Sequence, residues 1–220
     1  MQTTDTAHGC GRNFHQDMAP WAAAGRTTQL AGVVLVGSPF SRNELQALRL
    51  HGSLREVLPG AYVSAEHPQT PSLRARVAAA VAGEQYVPGR ALCKCTAAWV
   101  YGCAPMPHEL DILVPRYHRP CAPTSGMLLR LSEGIMDEDQ VCSIGGITVT
   151  SPLRTAMDIA FNCELIDSMP VLAAINASPR LRCGYRRMLD SIESQVRRPG
   201  RRRALLAISR LMDTGLPACA

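Results

Sequence analysis

Apolar positions along this chain recur at two spacings, and the alternation between them predicts its elements. Val33-Val34-Leu35-Val36 is a brief apolar run that stops at Gly37-Ser38-Pro39. Ser41, with Glu44 three positions on, has the capping-box pattern and predicts a helix from Arg42 to about Leu50. Leu54 to Leu58 and Ala61-Tyr62-Val63 flank Pro59-Gly60, which reads as a hairpin. Leu73, Val77 and Val81, with alanines between them, predict an apolar helix to about Gly83, and Thr96 to Tyr101 a second. Leu110 to Val114 and Met127 to Leu131 read as strands, and Asp137-Glu138-Asp139 as an acidic turn. Val141 to Ser143 with Gly146 to Val149 read as a hairpin around Gly145-Gly146. Helices are expected again over Ile166 to Ala177, over Tyr185 to Val196 and beyond Arg203, where Leu205, Leu206, Ile208 and Leu211 restore helical spacing. A short helix is also expected at Trp21 to Leu30, behind an N-terminal stretch without periodicity that is expected to be mobile.

The stretch that organises the rest is Gly145 to Ala160. Ile147-Thr148-Val149 form a strand, Thr150 or Ser151 can cap a helix, and Pro152 sits where a first-turn proline is tolerated. Leu153, Ala156, Met157 and Ala160 share one face of the helix that follows, and Arg154 and Asp158 form an i,i+4 pair beside it. These residue types build an anchor rather than an active site.

The same block resembles the V-T-[ST]-P-x-R-T-x-x-D-x-A signature of the AbiEi-type antitoxin family of type IV toxin-antitoxin systems. Four further segments are similar to that family in the same order: Ser41-Arg42-Asn43-Glu44-Leu45, Gly52 to Val63, Thr96-Ala97-Ala98-Trp99 and Glu109 to Pro115. The resemblance covers roughly residues 35 to 215. It implies an α/β protein with a reduced N-terminal winged-helix-like element followed by a mixed α/β domain. Residues 1–30 would be a mobile segment, 31–66 the winged-helix-like element, and 67–220 the antitoxin-like domain with its basic C-terminal helices. Fuller members carry an extra helix in the first element; here Leu50-His51-Gly52 joins helix to hairpin directly, so the element is shortened.

Composition narrows the function classes. The 220 residues are 46% hydrophobic and 19% charged, which is globular composition. No apolar run approaches the roughly 18 to 20 residues of a membrane helix, and the first residues lack a basic-then-apolar signal. A soluble cytoplasmic protein without a membrane partner is expected. Nine cysteines at irregular spacing predict reduced, mostly buried thiols rather than a disulfide framework. The net charge of +5 hides an asymmetry: residues 176–220 carry ten arginines against Asp190, Glu193 and Asp213, while the preceding 175 residues are slightly acidic. An anionic partner is drawn to the C-terminal end.

Two groups of residues are therefore expected to bind DNA. Ser41, Arg42 and Asn43, with Arg49 and Arg55, can present donors to phosphates or base edges from a capped helix start. Arg197, Arg198, Arg201, Arg202 and Arg203 can pair with phosphate oxygens or with an acidic protein surface. Cys93-Lys94-Cys95, Cys103 and His108 lack the C-x2-C spacing of a zinc knuckle and read as buried thiols, so no metal and no cofactor is expected. Glu109 and Asp111 are similar to nuclease carboxylates, yet no Glu-x-Lys follows on a neighbouring strand, and no nucleophile elbow or phosphate loop is present.

The resemblance implies binding without catalysis: a DNA-binding, antitoxin-like autorepressor whose partners are its own operator and a possible cognate toxin of the nucleotidyltransferase type. Two alternatives stay open, a protein-interaction module without DNA binding and a degenerate nuclease relative.

Overall fold

The computed structural model describes residues 32–37, 39–119 and 126–214. The expected mobile segment and the helix at Trp21 to Leu30 lie outside the described residues. Strand β1 (Val33–Leu35), helix α1 (Arg42–Leu50), and strands β2 (Leu54–Leu58) and β3 (Ala61–Ser64) form the N-terminal element. Its sheet is antiparallel with order β1-β3-β2. One helix therefore stands between the first strand and the hairpin, as the shortened sequence required. Ser41 and Glu44 complete the reciprocal capping box, with the Glu44 carboxylate 2.7 Å from the Ser41 backbone nitrogen. The hairpin has an irregular register between Glu56 and Leu58, and Glu56 Oε1 accepts the Gly60 N–H at 2.9 Å to close the turn.

Helix α2 (Pro71–Ala82) begins on the Thr70 cap, whose hydroxyl accepts the Leu73 N–H. Its alanines and valines are buried on nearly every side, because it has a sheet on more than one flank. Strand β4 (Ala91–Leu92), helix α3 (Lys94–Tyr101), and strands β5 (Glu109–Val114), β6 (Leu128–Glu133), β7 (Val141–Ile144) and β8 (Ile147–Thr150) follow. The five strands make a mixed sheet of order β6-β5-β4-β8-β7, with β5–β6 and β4–β8 parallel. The acidic turn takes a 3-10 form at Glu138–Gln140. At two residues, β4 is too short for any periodicity to announce, yet it joins the two halves of the sheet.

One apolar cluster runs from Val33, Leu58 and Val63 through Leu73, Val77 and Val81 to Leu92, Leu110, Ile112 and Val149. Both sheets thus share α2 as a common filling. A second cluster belongs to the helices: α4 (Pro152–Asn162), α5 (Leu165–Ala177), α6 (Tyr185–Ser194) and α7 (Arg201–Thr214). Helix α4 packs on α3, α5, α6 and α7, which makes it the hub of that layer. The chain is a mixed α/β protein, as its periodicity predicted. Among the described residues no helix is long and apolar enough to cross a membrane.

The entry into α4 is fixed from both sides. Ser151 caps it, and the Thr150 and Thr155 hydroxyls meet at 2.8 Å across the strand-to-helix junction. Tyr101 Oη donates to the Thr150 carbonyl at 2.7 Å, tying α3 to the same point. Upstream, Gly145 and Gly146 take φ of +60° and +83°, the left-handed pair that a two-residue hairpin turn uses. A Cβ on Gly145 would lie 2.9 Å from Ser72 Cβ at the start of α2, whereas one on Gly146 would meet nothing within 4 Å. Gly145→Ala is therefore expected to destabilise the fold by about 2 to 3 kcal/mol, and Gly146→Ala by about 1 kcal/mol. Urea unfolding of the two variants side by side checks the order.

Candidate functional site

The two basic groups expected to meet DNA have different surroundings. On α1, Arg42, Asn43 and Arg49 are exposed. Arg42, Gln46 and Arg49 follow helical spacing, so they form one stripe. Gln46 donates to Tyr62 Oη at 3.1 Å and accepts from Arg49 Nε at 3.0 Å, which orients the stripe from the fully buried Tyr62 below it. Ser41 is spent on the cap. Its backbone and side-chain hydrogen bonds hold the Glu44 carboxyl below the usual carboxylate range, so an anionic group already occupies the helix start. Arg55 is turned away from the stripe and donates to the His67 carbonyl at 2.7 Å.

The C-terminal arginines divide as well. Arg198 lies against Asp158 at 3.0 Å, stacks over the Phe161 ring at 4.3 Å and donates to Gln195. Arg154 holds the other oxygen of Asp158 at 2.9 Å and also donates to Gln140 and to the Ile135 carbonyl. Asp158 is 4% exposed, a carboxylate gripped by two guanidinium groups from opposite sides. Arg203 pairs with Glu164 at 2.9 Å and caps α4 by donating to the Phe161 carbonyl at 2.8 Å, where a cation opposes the negative end of the helix dipole. Arg201 donates to the Ile192 carbonyl. Gly200, at φ +81°, lets the corner approach so closely that a Cβ there would lie 2.4 Å from the Phe161 oxygen. Arg197 and Arg202 alone of the five are exposed.

A third cluster stands on β5. Leu110, Ile112 and Val114 point into the first core, so Glu109, Asp111 and Leu113 alternate to the other face. Glu109 pairs with Arg130 of β6. Asp111 is 4% exposed, and its Oδ1 is buried without a hydrogen-bond partner. Burial pushes its carboxyl up to about 6, with the Lys94 ammonium pulling it down and Glu109 pushing it further up. Lys94 sits at φ +46°, in the left-handed region, and donates to Ser132 Oγ at 2.6 Å. The charged residue inside the apolar run Leu110 to Val114 is the sequence signal for this site; the Lys94–Ser132 contact has none, because 38 residues separate the partners.

Asp111 and Glu109 are thus the carboxylates weighed for a nuclease, but in register Asp111 faces Arg130 across the sheet. Among the described residues no group of three or more His, Cys, Asp and Glu is arranged to hold a metal ion.

Fold and site together define a mixed α/β protein with a buried carboxylate clamp and two exposed basic patches. No family model matches the sequence, and no curated protein matches it. Among solved structures, the RV2827C protein from Mycobacterium tuberculosis is similar at a TM-score of 0.41 and 19% identity. That match covers 80% of this chain and 66% of the other.

Removing the shared carboxylate leaves two half-buried cations facing each other, so Asp158→Ala is expected to destabilise by about 3 to 5 kcal/mol. Arg198→Ala should lower stability as well, whereas Arg202→Ala should stay within about 0.5 kcal/mol of the parent. Thermal and urea unfolding measure all three. The raised Asp111 pKa means that the folded state binds the proton more tightly than the unfolded chain. Its stabilising contribution is complete below the ordinary value of 3.8 and is lost as pH rises through about 6. Asp111→Asn should therefore gain on the parent across that window, by up to about 3 kcal/mol at neutral pH. Stability curves recorded from pH 4 to 7 check the sign.

Proposed function

We propose that this chain is a DNA-binding, antitoxin-like autorepressor of the AbiEi type, which works by binding and not by catalysis. The observation that carries the DNA reading is the stripe Arg42, Gln46 and Arg49 on an exposed helix immediately before a β-hairpin. Exposed guanidinium groups held on a rigid helix are suited to phosphate oxygens, and Asn43 beside them offers both a donor and an acceptor to a base edge. The ionised Glu44 at the helix start disfavours phosphate there, so contact runs through side chains and not through the first backbone amides. Of the five arginines from Arg197 to Arg203, the exposed Arg197 and Arg202 are the ones free to add phosphate contacts. Arg198, Arg201 and Arg203 hold the fold in this reading. Opposition to a nucleotidyltransferase-type toxin rests on the motif resemblance.

Leu50, 81% exposed at the end of α1, favours a second reading as a protein-interaction module, since a bare leucine beside the same stripe suits an apolar contact. Binding to the protein's own upstream DNA and to a scrambled duplex, at low and moderate salt, separates the two. The expected result is preference for the upstream duplex, a steep loss of affinity with salt, and a salt slope reduced by about one for each phosphate contact removed. Arg42→Ala with Arg49→Ala should weaken binding most, and Arg197→Ala with Arg202→Ala should weaken it uniformly across sequences. Absence of binding at either salt would sink the repressor reading and leave the interaction module.

A further inference from the structure

We propose that a cleft of about 400 Å³ between the start of α4, the acidic turn and α6 binds a phosphomonoester of a small organic molecule. Three guanidinium groups line it, those of Arg154, Arg187 and Arg198. Arg154 and Arg198 also grip Asp158, which does not itself line the cleft, yet their side chains stay 19% and 31% exposed. A clamp that served the fold alone would be sealed by apolar packing. This one opens into a hollow that polar side chains share.

The guanidinium groups are held in place before any ligand arrives. Arg154 Nη1 donates to Gln140 and to the Ile135 carbonyl, and Arg198 Nη1 donates to Gln195 Oε1 at 2.8 Å. Arg187 is exposed on α6 and has no acidic partner among the described residues. Its Nη1 donates to the Arg182 carbonyl at 3.2 Å, and Arg182 takes φ +49°, a left-handed conformation that a side chain rarely adopts. Backbone strain is thus kept in the α5–α6 connection, one residue from Leu181, which lines the cleft.

Charge selects the ligand class. Three guanidinium groups stand against two carboxylates, Asp139 in the lining and Asp158 behind it, which leaves a net +1. The start of α4 adds roughly half a charge, since its first turn holds no acidic residue and its early N–H groups carry the positive end of the helix dipole. A phosphomonoester carries about −1.5 to −2 at neutral pH and offers three acceptor oxygens, whereas a carboxylate carries less charge on two. Guanidinium groups pair bidentately with phosphate oxygens, and Ser151 and Ser191 bring hydroxyls to the same hollow. Leu153, Met157 and Leu181 supply an apolar wall for the organic part, so the ester fits better than the free ion. No described residue of α1 lines the cleft, and the inference does not depend on the DNA-binding reading.

The test titrates the full chain with adenosine 5′-monophosphate, ribose 5-phosphate, inorganic phosphate and adenosine, followed by calorimetry and by amide shifts in two-dimensional NMR. The expected result is saturable binding of at least one ester, at lower concentration than inorganic phosphate, with no binding of adenosine and with shifts at Ser151 to Arg154 and at Ser191. Whichever ester binds more tightly names the source, a nucleotide or a sugar phosphate. Arg187→Ala removes an exposed side chain and leaves the Asp158 clamp whole, so it should keep the parent's unfolding midpoint and weaken the ester about tenfold or more. Arg210→Ala, at an exposed position of α7, should leave binding unchanged. The shift map of the unaltered chain decides the matter even if a variant folds poorly. Failure of both esters to bind, esters held no more tightly than phosphate or adenosine, affinity unaltered in Arg187→Ala, or shifts confined to α1 overturns the proposal.

Discussion

The helical half of this protein depends on one buried carboxylate. Asp158 accepts from Arg154 on its own helix and from Arg198 at the corner between α6 and α7, and each guanidinium carries further bonds outward. Arg154 reaches Gln140 and Ile135 on the connection after β6, while Arg198 covers the Phe161 ring. A single ionised group thereby joins the sheet's outer connection, the hub helix and the last helical pair. Desolvation makes such an arrangement expensive, and the two guanidinium groups with their added hydrogen bonds offset that expense. The corner can sit so close only because residue 200 is glycine, which brings Arg203 onto the Phe161 carbonyl near the end of α4.

The same helix connects the two chemically distinct regions of the molecule. At its start, hydroxyls of Thr150, Ser151, Thr155 and Tyr101 fasten β8 and α3 to it. Its end carries the half-buried Cys163, while α3, packed against it, meets β5 where Thr96 Oγ1 accepts the Asp111 N–H at 2.8 Å. The buried carboxylate of β5 and the left-handed Lys94 therefore lie beside the hub helix because α3 packs on both β5 and α4. Strain at Lys94 is maintained by the bond of its ammonium to Ser132 across the sheet.

Positive charge is distributed with a consequence for binding. The C-terminal region holds most of the excess, yet three of its five clustered arginines face inward to carbonyls and carboxylates. On α1, Arg42 and Arg49 are exposed, and capping and the Gln46–Tyr62 hydrogen bond hold that helix on a sheet that shares its core with the rest of the chain. A patch so mounted binds without first being ordered, which favours affinity per contact.

Much of the fold was legible in the sequence because local rules agreed. The capping box at Ser41, the glycine pair at 145 and 146 and the Pro152 helix start each depend on residues within a few positions of one another. The i,i+4 pair of Arg154 and Asp158 was legible for the same reason. Strand β4 was not, since two residues carry no period and its pairing is decided by strands that arrive later. Nor did the sequence reveal which arginines of the run from 197 to 203 turn inward. That choice depends on Asp158, 40 residues away from Arg198, and on a glycine that lets two backbones touch. Local chemistry along the chain determined its elements and the charges available for binding; tertiary packing decided which of those charges were neutralised inside, because a charge finds its partner through space.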